Sequence, residues 1–115
     1  MKTQITPQMI VRIWRTRFDP KGKDRLVAYA NDVSLPVLST RSGVKGVFFA
    51  AKDDQWITTT FWQSQADIDR LDDDQDYQRI VEGILALGVL GSDQSVETFI
   101  YEGGSTLAAV TPFPI

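Results

Sequence analysis

The stretch Gln55 to Tyr77, QWITTTFWQSQADIDRLDDDQDY, constrains the fold of this chain more than any other. Trp56, Thr58, Thr60 and Trp62 alternate with Ile57, Thr59 and Phe61. This period of two in β-branched and aromatic residues suits a pleated, two-faced strand. The alternation stops at Ser64-Gln-Ala-Asp67, which has the spacing of a capping box, with a hydroxyl and a carboxylate to satisfy unpaired amides at a helix start. A strand therefore runs directly into a helix, and Trp62 stands near the strand's end at the helix mouth.

The flanking chain supplies the other elements. Met9 to Phe18 predicts a first strand, with Met9, Val11 and Ile13 on one face and Ile10, Arg12 and Trp14 on the other. Asp19-Pro-Lys-Gly22 is turn chemistry. From about Asp24, the residues Leu26, Tyr29, Ala30, Val33 and Val37 recur at helical spacing. Pro36 predicts a kink and then a short final turn ending near Gly43, because proline removes a hydrogen bond and clashes with the preceding turn. Val44 to Ala51 and Gln55 to Trp62 are strand-like runs joined by Lys52-Asp53-Asp54, a link short enough for an antiparallel hairpin. Ile68 and Leu71 make a short helical stripe, which Asp72-Asp-Asp74 breaks while capping the next helix. That helix carries Tyr77, Ile80, Val81, Ile84, Leu85 and Gly88, and Gly91-Ser-Asp93 is expected to close it. Gln94 to Glu102 alternates as a last strand.

The order strand, helix, strand, strand, helix, strand predicts an α+β, ferredoxin-like βαββαβ fold, a four-stranded antiparallel sheet with two helices on one face. Residues 9–102 form the domain, 1–8 an N-terminal extension and 103–115 a C-terminal tail, STLAAVTPFPI after its glycines, apolar enough to dock on the body or on a partner. Several strands carry bulky apolar residues on both faces, so a homodimer with two sheets face to face is expected.

Composition removes whole classes of chemistry. The chain has no cysteine and no histidine, which excludes disulfides, thiolate nucleophiles, imidazole metal sites, histidine-ligated haem and histidine-dependent triads. A net charge of −3 with scattered lysines and arginines argues against a nucleic-acid surface. No apolar run approaches the roughly 20 residues of a membrane helix, and the N-terminus lacks a signal peptide's apolar core, so a cytoplasmic protein is expected. Asp72, Asp73, Asp74 and Asp76 match the start of a calcium loop. Tyr77 then stands where the turn glycine is needed and Gly83 where the last carboxylate belongs, leaving helix capping as the better account.

From about Val11 to Tyr101 the chain resembles the antibiotic biosynthesis monooxygenase domain family. The resemblance lies in the strand order, the W-x-S sequence at Trp62-Gln63-Ser64 and Asp74-Gln-Asp-Tyr77. It extends to the Lys21-Gly22-Lys23 turn and the Ser42-Gly43-Val44-Lys45-Gly46 approach to the second strand. The resemblance implies a dimeric α+β barrel with a pocket between sheet and helices in each subunit. It also implies several activities, since some members oxidise aromatic polyketides with dioxygen and no cofactor, some degrade haem, and many have no known reaction. The haem-degrading branch uses asparagine, tryptophan and histidine. Here Trp62 matches the tryptophan, but the asparagine position falls on or beside Arg15 and the histidine near Val81, which disfavours haem degradation.

Cofactor-free oxygenation of a hydroxylated aromatic needs an anion held in a pocket that excludes water. Arg15 is the expected anion-stabilising group and Trp62 its catalytic companion, with Trp14, Tyr29 and Tyr77 lining the substrate pocket. No cofactor or metal is expected, and the sequence singles out no base. Two other readings stay open: a module of the same fold that binds an apolar small molecule without turnover, and a structural dimer whose pocket is plugged by Trp14, Phe49 or Phe113.

Overall fold

The computed structural model describes residues 8–104, so the tail sequence from Ser105, with Phe113, lies outside the described residues. Strand β1, Ile10–Arg17, alternates as expected. It pairs antiparallel with β3, Gln55–Trp62, on one side and with β4, Ser95–Ile100, on the other. Strand β2, Val44–Lys52, forms the hairpin with β3, giving the order β2-β3-β1-β4. The fold is ferredoxin-like α+β. The hairpin loop is two residues, with Lys52 opposite Gln55, and Asp53 takes a positive φ of 54°, a conformation that aspartate tolerates better than most side chains.

Asp19 accepts from the Lys21 amide at 3.0 Å and starts a single 3₁₀ turn, Pro20–Gly22. Helix α1, Lys23–Tyr29, continues through a π segment, Ala30–Ser34, into α2, Leu35–Ser39. Pro36 thus does not end the helix. The Leu35 amide bonds to the Ala30 carbonyl five residues back. This widened turn, directly before the proline, accommodates a residue that lacks an amide hydrogen and crowds the preceding turn. The helix ends at Ser39, four residues short of Gly43, whose φ of 83° belongs to the following turn.

Ser64 caps α3, Gln65–Asp69, its hydroxyl accepting from the Asp67 amide. A 3₁₀ turn, Arg70–Asp73, leads to α4, Gln75–Ala86, capped by Asp74, whose carboxylate accepts from the Tyr77 amide at 3.0 Å. This helix closes at Gly88 rather than at Gly91. Gly88 has a φ of 72°, the left-handed conformation that ends helices, and so it is the terminator and not part of the helical stripe.

The described helices cover one face of the sheet. One buried cluster joins Phe18, Leu26, Ala30, Trp56, Ile84 and Val89, and a second joins Ile10, Trp62 and Leu71. Among the described residues, nothing covers the opposite face. There Phe48 and Phe99 are about half exposed (48% and 46%), Phe48 meets Phe61 edge to face at 5.8 Å, and Phe61 meets Tyr101 at 5.9 Å. No helix among the described residues is long and apolar enough to cross a membrane.

Candidate functional site

The two buried clusters leave a gap between them, and strand β3 explains it. On its helix-facing side the side chains read Trp56, Thr58, Thr60, Trp62, so two indoles flank two small residues. At about 3.3 Å per residue the indoles stand roughly 20 Å apart along the strand. Each Trp fills one end of the core, and the threonines cannot fill the middle. The result is a cavity of about 170 Å³, with Arg12, Trp14, Thr58 and Thr60 on the sheet side and Ala30, Ser34, Tyr77, Ile80 and Ile84 on the helix side. Val81, Leu85 and Val96 also line it and are 36%, 50% and 51% exposed, so the cavity opens between α4 and β4.

The polar groups in this cavity are few. The Trp62 indole donates to the Thr60 hydroxyl at 2.7 Å, and the Trp56 indole donates to the Thr58 hydroxyl at 3.0 Å. An indole N–H can only donate, so each threonine oxygen is an acceptor there and keeps its own O–H to donate. Arg12 sits opposite Thr60 on the neighbouring strand. Among the described residues it is the one charged group on the cavity wall, and no carboxylate faces it there. The other β1 arginines are neutralised elsewhere: Arg15 by Glu97, and Arg17 by Asp54 at 2.9 Å and Asp93 at 3.6 Å. Among the described residues the Arg12 guanidinium has no hydrogen-bond or ion-pair partner.

Of the residues expected from sequence, the structure brings together Trp62, Trp14 and Tyr77. It does not bring Arg15. Successive side chains on a strand point to opposite faces, so Trp14 and Arg15 cannot share a pocket, and Arg15 lies on the uncovered face. Tyr29 is also outside the cavity. Its hydroxyl donates to the Ile80 carbonyl at 2.8 Å, and burial raises its pKa above the ordinary 10.0. Gly83 makes room for that contact, since a Cβ there would overlap the Tyr29 oxygen. Trp14 and Phe49 form walls rather than plugs, because the volume between them and the helices stays open.

Sequence reasoning missed Arg12, Thr58, Thr60 and the buried Ser34, which lies in the π segment at the cavity wall. Strand parity was the available signal for the first three: each shares a face with Trp62. Helix α4, which carries Tyr77, Ile80 and Ile84, is held at its start by Asp74. Its carboxyl is lowered below the ordinary 3.8, first by the Tyr77 amide and then by the Arg41 guanidinium 2.7 Å away.

No protein-family model and no curated protein sequence matches the chain. Solved structures do. A monooxygenase of Streptomyces coelicolor in complex with the ligand nanaomycin D superposes with a TM-score of 0.72 at 16% identity, over 88% of this chain and 94% of the other. The chain has the antibiotic biosynthesis monooxygenase fold. A proposed antibiotic biosynthesis monooxygenase from Chloroflexus aurantiacus gives 0.68 at 17% identity, over 85% and 97% of the two chains. A protein of unknown function from Nitrosomonas europaea gives 0.71 at 14%, over 90% and 99%. At these identities the likeness is one of fold. Within the antibiotic biosynthesis monooxygenase fold, activity has to be argued from the cavity's own residues.

Proposed function

We propose that this chain is a cofactor-independent monooxygenase that converts a small hydroxylated aromatic to a quinone. One observation carries the reading: an open cavity walled by Trp14, Trp56 and Trp62, in which Arg12 is the only charged group among the described residues and has no partner among them. The partly exposed Trp14 indole provides flat stacking surface for a ring, with Trp56 and Trp62 closing the ends of the cavity. A guanidinium beside a phenol favours its ionised form, so the phenolic proton leaves to solvent through the open side. The bound phenolate gives one electron to dioxygen, and the radicals combine to form a carbon–oxygen bond para to the phenolic oxygen. Loss of the para hydrogen as a proton with cleavage of the O–O bond leaves the second carbonyl. One oxygen atom stays on the ring and the other departs as water. Arg12 and the Thr58 and Thr60 hydroxyls stabilise negative charge on oxygen throughout.

The same fold in a monooxygenase that holds nanaomycin D supports this reading. A second reading, binding without turnover, is favoured by the wall's lack, among the described residues, of a carboxylate to serve as base, in a chain with no histidine. The lack of histidine also leaves haem iron without an imidazole ligand. The half-exposed Phe48 and Phe99 on the uncovered sheet face support a homodimer joined through these faces.

Oxygen uptake by the purified protein, without added metal or flavin, tests the proposal across anthrones, quinols and polyhydroxylated aromatics. Uptake above the uncatalysed rate, with one atom of ¹⁸O₂ found in the quinone and a lower rate in Trp62→Phe, supports it. No uptake across the panel contradicts it and leaves the binding reading.

A further inference from the structure

We infer that the cavity selects a one-ring aromatic in its anionic form, gripped at the oxyanion by Arg12 and by the Thr58 and Thr60 hydroxyls. The inference rests on reading this cavity as the ligand site, and it narrows the substrate class. Size gives the first half. A cavity of about 150 Å³ lined by apolar side chains takes one benzene ring, and the volume here is about 170 Å³. A fused three-ring substrate would have to project past Leu85 and Val96 into solvent.

Charge gives the second half. Arg12, Thr58 and Thr60 lie on one face of adjacent strands, and each presents donors. Each threonine oxygen accepts from one indole, and its own O–H remains available to donate. Donors that converge from adjacent strands on a largely apolar wall, with no carboxylate among the described residues that line it, are complementary to a carboxylate or a phenolate, whose oxygens only accept. A neutral ring fills the same space but leaves the guanidinium uncompensated.

All three tryptophans of the chain line the cavity, so their intrinsic fluorescence reports occupancy directly. The experiment titrates the full chain with benzoate, with benzamide as a neutral ring of the same shape, and with 9-anthracenecarboxylate as a three-ring acid. A titration with 4-nitrophenol above and below its pKa separates phenolate from carboxylate recognition. Benzoate is expected to bind at least about tenfold tighter than benzamide, the gain typical of a charge-assisted hydrogen bond. Arg12→Gln should remove that preference with benzamide unchanged, and Arg12→Lys should keep part of it. The three-ring acid should bind more weakly than benzoate. Equal affinity for benzoate and benzamide, a preference that survives Arg12→Gln, tighter binding of the three-ring acid, or no binding of any probe would each overturn the inference. Loss of anion selectivity with oxygen uptake intact would leave the oxygenase reading standing. Selective binding without uptake would remove the oxygenase reading and leave this one.

Discussion

The two faces of the sheet are written in the same strands, one residue out of step, and they differ in almost every physical respect. On the helix-facing side Trp62 is fully buried and Trp56 nearly so, each of these indoles is hydrogen-bonded, and Arg12, beside an open volume, has no partner among the described residues. On the other side Phe48 and Phe99 stand half exposed and the arginines are paired with acids. Burial therefore cannot identify the site, since the better-buried face is the one that contains the hole. What distinguishes it is incomplete filling combined with an uncompensated charge.

The largest expected effect tests whether the helix-facing side holds the molecule together. Trp62→Ala should cost about 3–5 kcal/mol in urea unfolding, the usual range for emptying a buried aromatic site. Phe99→Ala on the opposite face should cost about 1 kcal/mol or less within a single subunit. Equal losses would break the contrast. Next comes association: the proposed dimer should sediment as such in the wild type and become a monomer when Phe48 and Phe61 are together replaced by serine, with the far-UV circular dichroism unchanged.

Smaller effects sharpen the boundary of the site. Tyr29→Phe should lose about 1 kcal/mol, one hydrogen bond, with ligand affinity unaltered, because its hydroxyl is committed to the Ile80 carbonyl. Asp74 gives a pH signature. Its folded pKa lies below the unfolded value, so the folded state binds fewer protons and the carboxylate stabilises the fold above about pH 4. That contribution is lost as pH falls below this value. Urea midpoints measured against pH should show the loss in the wild type and a flatter acid limb in Asp74→Asn. Last, Arg15→Ala should change stability by less than about 1 kcal/mol, as for an exposed ion pair.

Much of this architecture is legible in the sequence because local chemistry and global fold agree. The alternation across Gln55 to Trp62, the caps at Ser64 and Asp74, and the short hairpin loop each act within a few residues, and each stands where the pattern puts it. Misreadings arose where two local signals competed. Gly88 and Gly91 both suit a helix end, and backbone conformation decided for Gly88. The expected short turn past Pro36 is present, but it ends at Ser39 rather than near Gly43. The site was half legible. Trp14, Trp62 and Tyr77 follow from aromatic character, whereas choosing Arg12 over Arg15 needed only strand parity, since Trp14 already fixes the inward face. Thr58 and Thr60 read in sequence as strand formers. Their proposed role as donors depends on where the indoles of Trp56 and Trp62 point, which only packing determines.

The most direct test sets two arginines of β1 against each other. Oxygen uptake with an active phenol is measured for the wild type, Arg12→Gln and Arg15→Gln, under conditions where all three proteins are folded. The account predicts that Arg12→Gln loses most of the activity and Arg15→Gln keeps it. Loss in Arg15→Gln with Arg12→Gln unimpaired would place the chemistry on the other face of the sheet and contradict the account.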